Sequence, residues 1–260
     1  LRRNGLDYVL IVAGAAAVAA EWRFYRQPVR RVGTVYLITL QAALVARFAI
    51  GLFQLQISVA KQRLQPGKFM VGYTDLHPGL DCVAAWRDPQ QLCFDMIDAP
   101  EQVERLANRA IADFETIYDH FDAILKAAGQ LSVSWMGIPS FGRMHIPSCD
   151  FSTMISPRFF ERFGLPILQR EVKTMTHNIF HVDGKGVARH LDAILSVPEV
   201  HAVQWVQGVG DDLPIMQWAS FIQELQARKM PVIVDLNKNE LESFIAVSYT
   251  HLTLPTKRIV

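Results

Sequence analysis

Asn178-Ile-Phe-His-Val-Asp183-Gly184 is the stretch on which the reading of this chain turns. It is short, rich in β-branched and aromatic residues, and ends in a turn-forming Asp-Gly, which predicts a buried parallel strand. His181 and Asp183 lie two residues apart, so both leave the same face near the strand's carboxyl end. Similar runs flank it at residues 69–73, 131–138, 202–206 and 231–235. Helical patterns fill the gaps. The strongest covers residues 100–128, where Val103, Leu106, Ala110, Phe114, Ile117, Phe121 and Leu125 keep three-to-four spacing. Asp98 reads as its N-cap with Glu101 completing a capping box, and Gly129 ends it. A second helix opens at Ser156-Pro157 and carries Phe160, Phe163, Ile167 and Val172; others are expected over 186–195, 214–228 and 238–244.

Strand and helix alternating through short connections predict an α/β fold with a parallel sheet. Two architectures satisfy that pattern: a (β/α)8 TIM-type barrel, truncated at one or both ends, or an open doubly wound sheet. No GxGxxG or phosphate-binding loop follows a strand, which weighs against a nucleotide-binding open sheet.

The chain has 260 residues, half of them hydrophobic and 20% charged, with a formal net charge of +1. That balance suits one sizeable globular core and offers neither the basic excess that nucleic acid demands nor an acidic tail. Cys82, Cys93 and Cys149 form no CxxC pair, and an odd count without a signal peptide points to the cytoplasm. The ends differ in composition. In residues 1–60 every basic side chain is Arg, among many Ala, Val and Leu, and Lys begins only at Lys61. Three readings of that segment stand side by side: a membrane or signal segment, ordinary buried helix, or out-of-frame translation of a GC-rich gene. The apolar run 8–20 is short for a membrane span, and Arg47 interrupts 34–55, so no membrane association is expected. At the other end Val247-Ser-Tyr-Thr-His-Leu-Thr-Leu-Pro-Thr256 reads as an in-register translation of a transposase-type sequencing adapter. The expected division is an atypical segment 1–60, a barrel 61–246 and an adapter-derived tail 247–260.

In a barrel the working groups sit at the carboxyl ends of the strands. Those positions here are Tyr73, Asp75 and His77; then Trp135, Arg143, His145, Cys149 and Asp150; then His181 and Asp183; then Gln204, Trp205 and Gln207; and finally Asp235. Each has a structural reading beside the functional one. His181 and Asp183 could be a hydrogen-bonded pair in a packed layer, Asp150 the start of a turn, and Asp75 with His77 a turn network around Pro78. Trp135 and Trp205 could be core, and Cys149 a small buried residue. Arg143 is the natural anion anchor, because guanidinium grips carboxylates through two bonds.

Phe180-His181-Val182-Asp183-Gly184 resembles the His-x-Cys-Gly strand end of the uroporphyrinogen decarboxylase superfamily. Cys149-Asp-Phe-Ser-Thr-Met-Ile-Ser-Pro157, with Phe160, Phe163 and Pro166 after it, resembles that family's acidic strand end and the helix that follows. The likeness covers residues 68–246 and is greatest to a branch with His-x-Asp-Gly. It implies a barrel enzyme, lyase or methyltransferase, acting on a small-molecule substrate. Methyl transfer to a corrinoid or thiol-type acceptor, with a corrinoid protein as partner, is the leading implication. Decarboxylation of a porphyrinogen-like tetrapyrrole is the alternative, and a non-catalytic barrel that binds a small metabolite is the third reading. The implied catalytic residues are His181, Asp183, Asp150 and Asp75. The implied substrate contacts are Tyr73, His77, Trp135, Arg143, Gln204 and Trp205. The family's methyltransferases bind zinc at this motif, which points to His181 and Asp183, with Cys149, as metal ligands. Asp183 stands where that family has a thiolate, so a softer metal loses its preferred donor.

Overall fold

The computed structural model describes residues 70–73, 75–208 and 210–248. The expectations for residues 1–60, for 61–69 and for the tail from Tyr249 lie outside them, and residues 70–73 of the expected first strand carry no strand.

Among the described residues four helices come first: α1 (Leu80–Arg87), α2 (Pro89–Asp98), α3 (Pro100–Ile111) and α4 (Phe114–Ala127). The single helix expected over 100–128 is thus two, parted by a turn at Ala112 and Asp113, where the sequence carries no Gly or Pro to announce it. Its cap also differs. Pro100 takes the first helical position, which makes Ala99, with φ −146° and ψ 54°, the N-cap; Asp98 belongs to the end of α2. The sequence reading missed α1 and α2. Asp88, at a left-handed φ of 79°, separates them and caps α2 by accepting from the N–H groups of Gln90 and Gln91 at 2.9 and 3.1 Å.

The run at 131–138 is not one strand. Only β1 (Ser132–Val133) is extended, and it turns back through Gly137, at φ 70°, to pair antiparallel with β2 (Pro139–Ser140). The parallel sheet begins instead at β3 (Met144–His145). A helical column then runs from Pro157 to Val172: Ser156 caps it, its middle (Phe160–Gly164) is a π turn, and it ends as α5 (Leu165–Val172). After it come β4 (His177–Asp183), α6 (Gly184–Ala188), α7 (Leu191–Leu195), β5 (Ala202–Val206), α8 (Ala219–Ala227), β6 (Val232–Val234) and α9 (Leu241–Val247).

The strands lie in the order β3-β4-β5-β6, all parallel. Each new strand adds beside the last, without the reversal of order that marks a doubly wound sheet. The protein is therefore an α/β fold on a parallel sheet that winds in one direction; a closed ring of eight strands is not present among the described residues.

Register and the period of two divide the sheet into faces. Phe180 pairs with Val203 and Val182 with Trp205, and these buried side chains form the layer beneath the helices. On the opposite face Met144, Ile146 and Ile179 make a small apolar cluster closed by Met136, Ile138, Ala202 and Ile233. Continuing along that face toward the carboxyl ends, the chain places Ser148 beside His181, and His181 beside Gln204, with Asp183 at the end of β4. A polar layer thus rests on an apolar floor at one end of the sheet.

Candidate functional site

His181 is fixed by backbone and side chain together. Its N–H donates to Pro147 O at 2.9 Å, and its Nδ1 is 2.6 Å from Gln204 Oε1. With its Oε1 turned toward the ring, Gln204 favours the tautomer in which Nδ1–H donates to it and Nε2 faces the cluster. Trp135, 42% exposed, stands edge-on to the imidazole at 5.4 Å between ring centres. Asp183 ends β4, where Gly184, at φ 71°, lets the chain turn sharply into α6.

Asp150 comes from the loop after β3, at the head of a short 3-10 turn (Asp150–Met154). That loop is held by Asp81, in the first turn of α1, whose carboxylate accepts from the N–H groups of Asp150 at 3.1 Å and Phe151 at 2.8 Å. Asp150, His181 and Asp183 each turn a ligand atom toward a common point, and these atoms all lie within 4.8 Å of one another. Partial burial, with help from Asp81 and Asp183, raises the Asp150 carboxyl above its usual range, against the opposing pull of His181 and His77. Negative charge is concentrated here, and a cation would relieve it.

A second constellation lies alongside. His77 Nε2 is 2.5 Å from Asp75 Oδ2, and His77 Nδ1 is 2.7 Å from Ser148 Oγ, with Asp81 Oδ2 3.9 Å away. The hydrogen bond to Asp75 raises the His77 pKa, burial opposes it, and the charges of Asp75, Asp81 and Glu171 reinforce the rise. A raised histidine stabilises the fold below its unfolded value near 6.5, and that contribution fades as pH climbs through the higher folded midpoint. An NMR titration of the ring protons is expected to place the His77 midpoint above 6.5, and Asp75→Asn should bring it down. An unchanged midpoint in that variant would show that Asp75 is not the cause.

The structure therefore gathers Asp150, His181, Asp183, Gln204 and Trp135 at one end of the sheet, and places Asp75 and His77 on a chain of hydrogen bonds leading to Ser148. Six sequence candidates stand elsewhere. Arg143 immediately precedes β3, so it lies at the end of the parallel sheet opposite the cluster, paired to Asp119 and Glu115 and lying over the Tyr118 ring at 4.9 Å. Trp205 alternates with Gln204 and so faces the helices, fully buried. Tyr73 is buried, with its hydroxyl donating to Met144 O at 2.5 Å and burial raising its pKa. Cys149 is a buried thiol whose pKa is pushed far up by desolvation, the opposite of what a thiolate ligand needs. His145, another strand-end candidate, points away from the site to Glu171. Gln207 works as a clamp, donating to the carbonyls of Leu213 at 2.8 Å and Asp235 at 3.2 Å.

Sequence reading missed Asp81, Ser148 and Glu171. Asp81 had a signal, since it ends the same Asp-Leu-His-Pro-Gly-Leu-Asp run as Asp75 and His77; Ser148 lay two residues from Asp150. No protein-family model, curated protein or solved structure matches the chain. No described helix is long and apolar enough to cross a membrane.

Proposed function

We propose that this chain is a metal-dependent barrel enzyme of the uroporphyrinogen decarboxylase superfamily that transfers a methyl group from a small-molecule donor to a corrinoid or thiol-type acceptor. The observation that carries the reading is the convergence of Asp150, His181 and Asp183 at the carboxyl end of the parallel strands. One imidazole and two carboxylates suit a zinc ion with an open position, though their hardness also admits other divalent ions. Such an ion supplies Lewis acidity, which keeps a thiol acceptor in its nucleophilic thiolate form.

The protein's own groups then have separate tasks. Gln204 holds the His181 tautomer, as an outer hydrogen-bond partner does for a metal-binding histidine. Asp81 fixes the loop that carries Asp150. Trp135 packs edge-on against His181 and walls that side of the site. Tetrapyrrole decarboxylation loses support because Arg143, its one anion anchor, is committed to Asp119.

Metal analysis of the purified chain after zinc loading and dialysis is expected to find one ion per chain. His181→Ala, Asp183→Asn and Asp150→Asn should each weaken zinc binding by about tenfold or more. Failure of the folded wild type to retain zinc, or retention at wild-type affinity by all three variants, would overturn the metal reading. Bound zinc with no methyl transfer to any thiol or corrinoid would leave a binding barrel in place of an enzyme.

A further inference from the structure

We propose that Ser148 is a nucleophile activated by His77 and Asp75, and that this trio gives the protein an esterase activity toward esters of short acyl chains. The three side chains form one hydrogen-bonded line: Ser148 Oγ to His77 Nδ1 at 2.7 Å, and His77 Nε2 to Asp75 Oδ2 at 2.5 Å. They come from distant parts of the chain. Asp75 and His77 sit before α1, whereas Ser148 follows β3 and is held beside His181 by a backbone bridge. A serine bonded to a histidine that is oriented by a carboxylate is the arrangement that turns a weak alcohol into a nucleophile, whichever ring nitrogen faces the serine.

The proton inventory is consistent. A neutral His77 that gives its Nε2–H to Asp75 leaves Nδ1 free to accept the Ser148 proton. Ser148 Oγ attacks the ester carbonyl carbon and its proton passes to His77 Nδ1. The imidazolium so formed lies between Asp75 and Asp81, the latter 3.9 Å from Nδ1. The carbonyl re-forms, the C–O bond to the alcohol breaks, and His77 returns its proton to the departing alkoxide. Water then repeats the sequence on the acyl-serine, losing a proton to His77 and releasing the carboxylic acid as Ser148 regains its hydrogen. One ester and one water become one alcohol and one acid, with no other reactant.

The space beside Ser148 is small, about 10 Å³, roughly the room one water needs. Ser148 is half-buried and lines a narrow cavity whose other walls include Leu80, Phe160, Ile167, Leu168 and Phe180. Apolar walls select an uncharged acyl chain, and the narrowness selects a short one such as acetyl.

None of the trio belongs to the Asp150–His181–Asp183 cluster, so the test is run in EDTA, where loss of metal binding cannot be mistaken for loss of this activity. The purified 260-residue chain is incubated with a fluorophosphonate in mildly alkaline buffer, then digested for peptide mass spectrometry. The expected result is one adduct, on Ser148, with hydrolysis of p-nitrophenyl acetate lost in parallel. Ser148→Ala should abolish the adduct. His77→Gln and Asp75→Asn, each checked for folding by circular dichroism, should slow labelling, His77→Gln by about a hundredfold. No adduct on folded wild-type protein, an adduct only at another residue, or labelling of His77→Gln at the wild-type rate would overturn the proposal.

Discussion

Replacing Glu171 by alanine is expected to destabilise the protein by about 3–5 kcal/mol, among the largest effects any single change here should have. Glu171 lies on α5 and is 3% exposed; its Oε1 shares a 2.7 Å hydrogen bond with Nε2 of His145, which is 1% exposed. The pair joins β3 to the helical column that crosses behind it, with Phe114 packed on the imidazole at 4.9 Å between ring centres. Burial raises the Glu171 pKa, and the bond to His145 pulls it back. Taking away the carboxylate leaves a buried ring nitrogen without its partner, which costs far more than the bond itself contributes. The double change His145→Met with Glu171→Leu should recover most of the loss, because two apolar side chains need no partner. Urea unfolding of the three variants measures this. A Glu171→Ala protein within about 1 kcal/mol of wild type would mean that water reaches His145 and that the pair is not sealed.

Trp205→Ala is expected to cost a similar amount, about 3–5 kcal/mol, while leaving zinc retention and Ser148 labelling as they were. Trp205 is wholly buried on the helix side of β5, with ring centres 4.5 Å from Phe221 and 5.0 Å from Trp218. Among the described residues its indole N–H has no hydrogen-bond partner. Trp205→Phe should therefore be much milder, since it keeps an aromatic ring and removes a polar group that gains nothing from its position. Thermal unfolding beside metal analysis separates the two roles. If Trp205→Ala stayed as stable as wild type but lost zinc, the residue would belong to the site after all.

These two residues also show where pattern reading stops. Trp205 and Gln204 close the same run, yet adjacent strand residues must face opposite ways. The period of two in Ala202–Val206 already held that answer. His145 is a different case. Its strand is two residues long, between Gly142 and Pro147, and nothing local marks it as part of the sheet. Only pairing with His177 and Asn178 of β4 makes it one. Arg143 follows the run 131–138 in sequence, but the parallel strand nearest it is β3, which begins one residue later and so puts Arg143 at the opposite end of the sheet.

Local chemistry in the sequence determined the strands β4 and β5, the cap at Ser156, the parallel character of the sheet, and the joint orientation of His181 and Asp183. Each depends on neighbours a few residues apart, whose periodicity and turn preferences act without the rest of the chain. Tertiary structure alone decided that Asp150 joins that pair, that Asp81 reaches across 69 positions to hold its loop, and that Ser148 meets His77 across 71. Such contacts form because helices and strands bury their apolar faces together, and the polar groups at the strand ends are carried to wherever that packing leaves them.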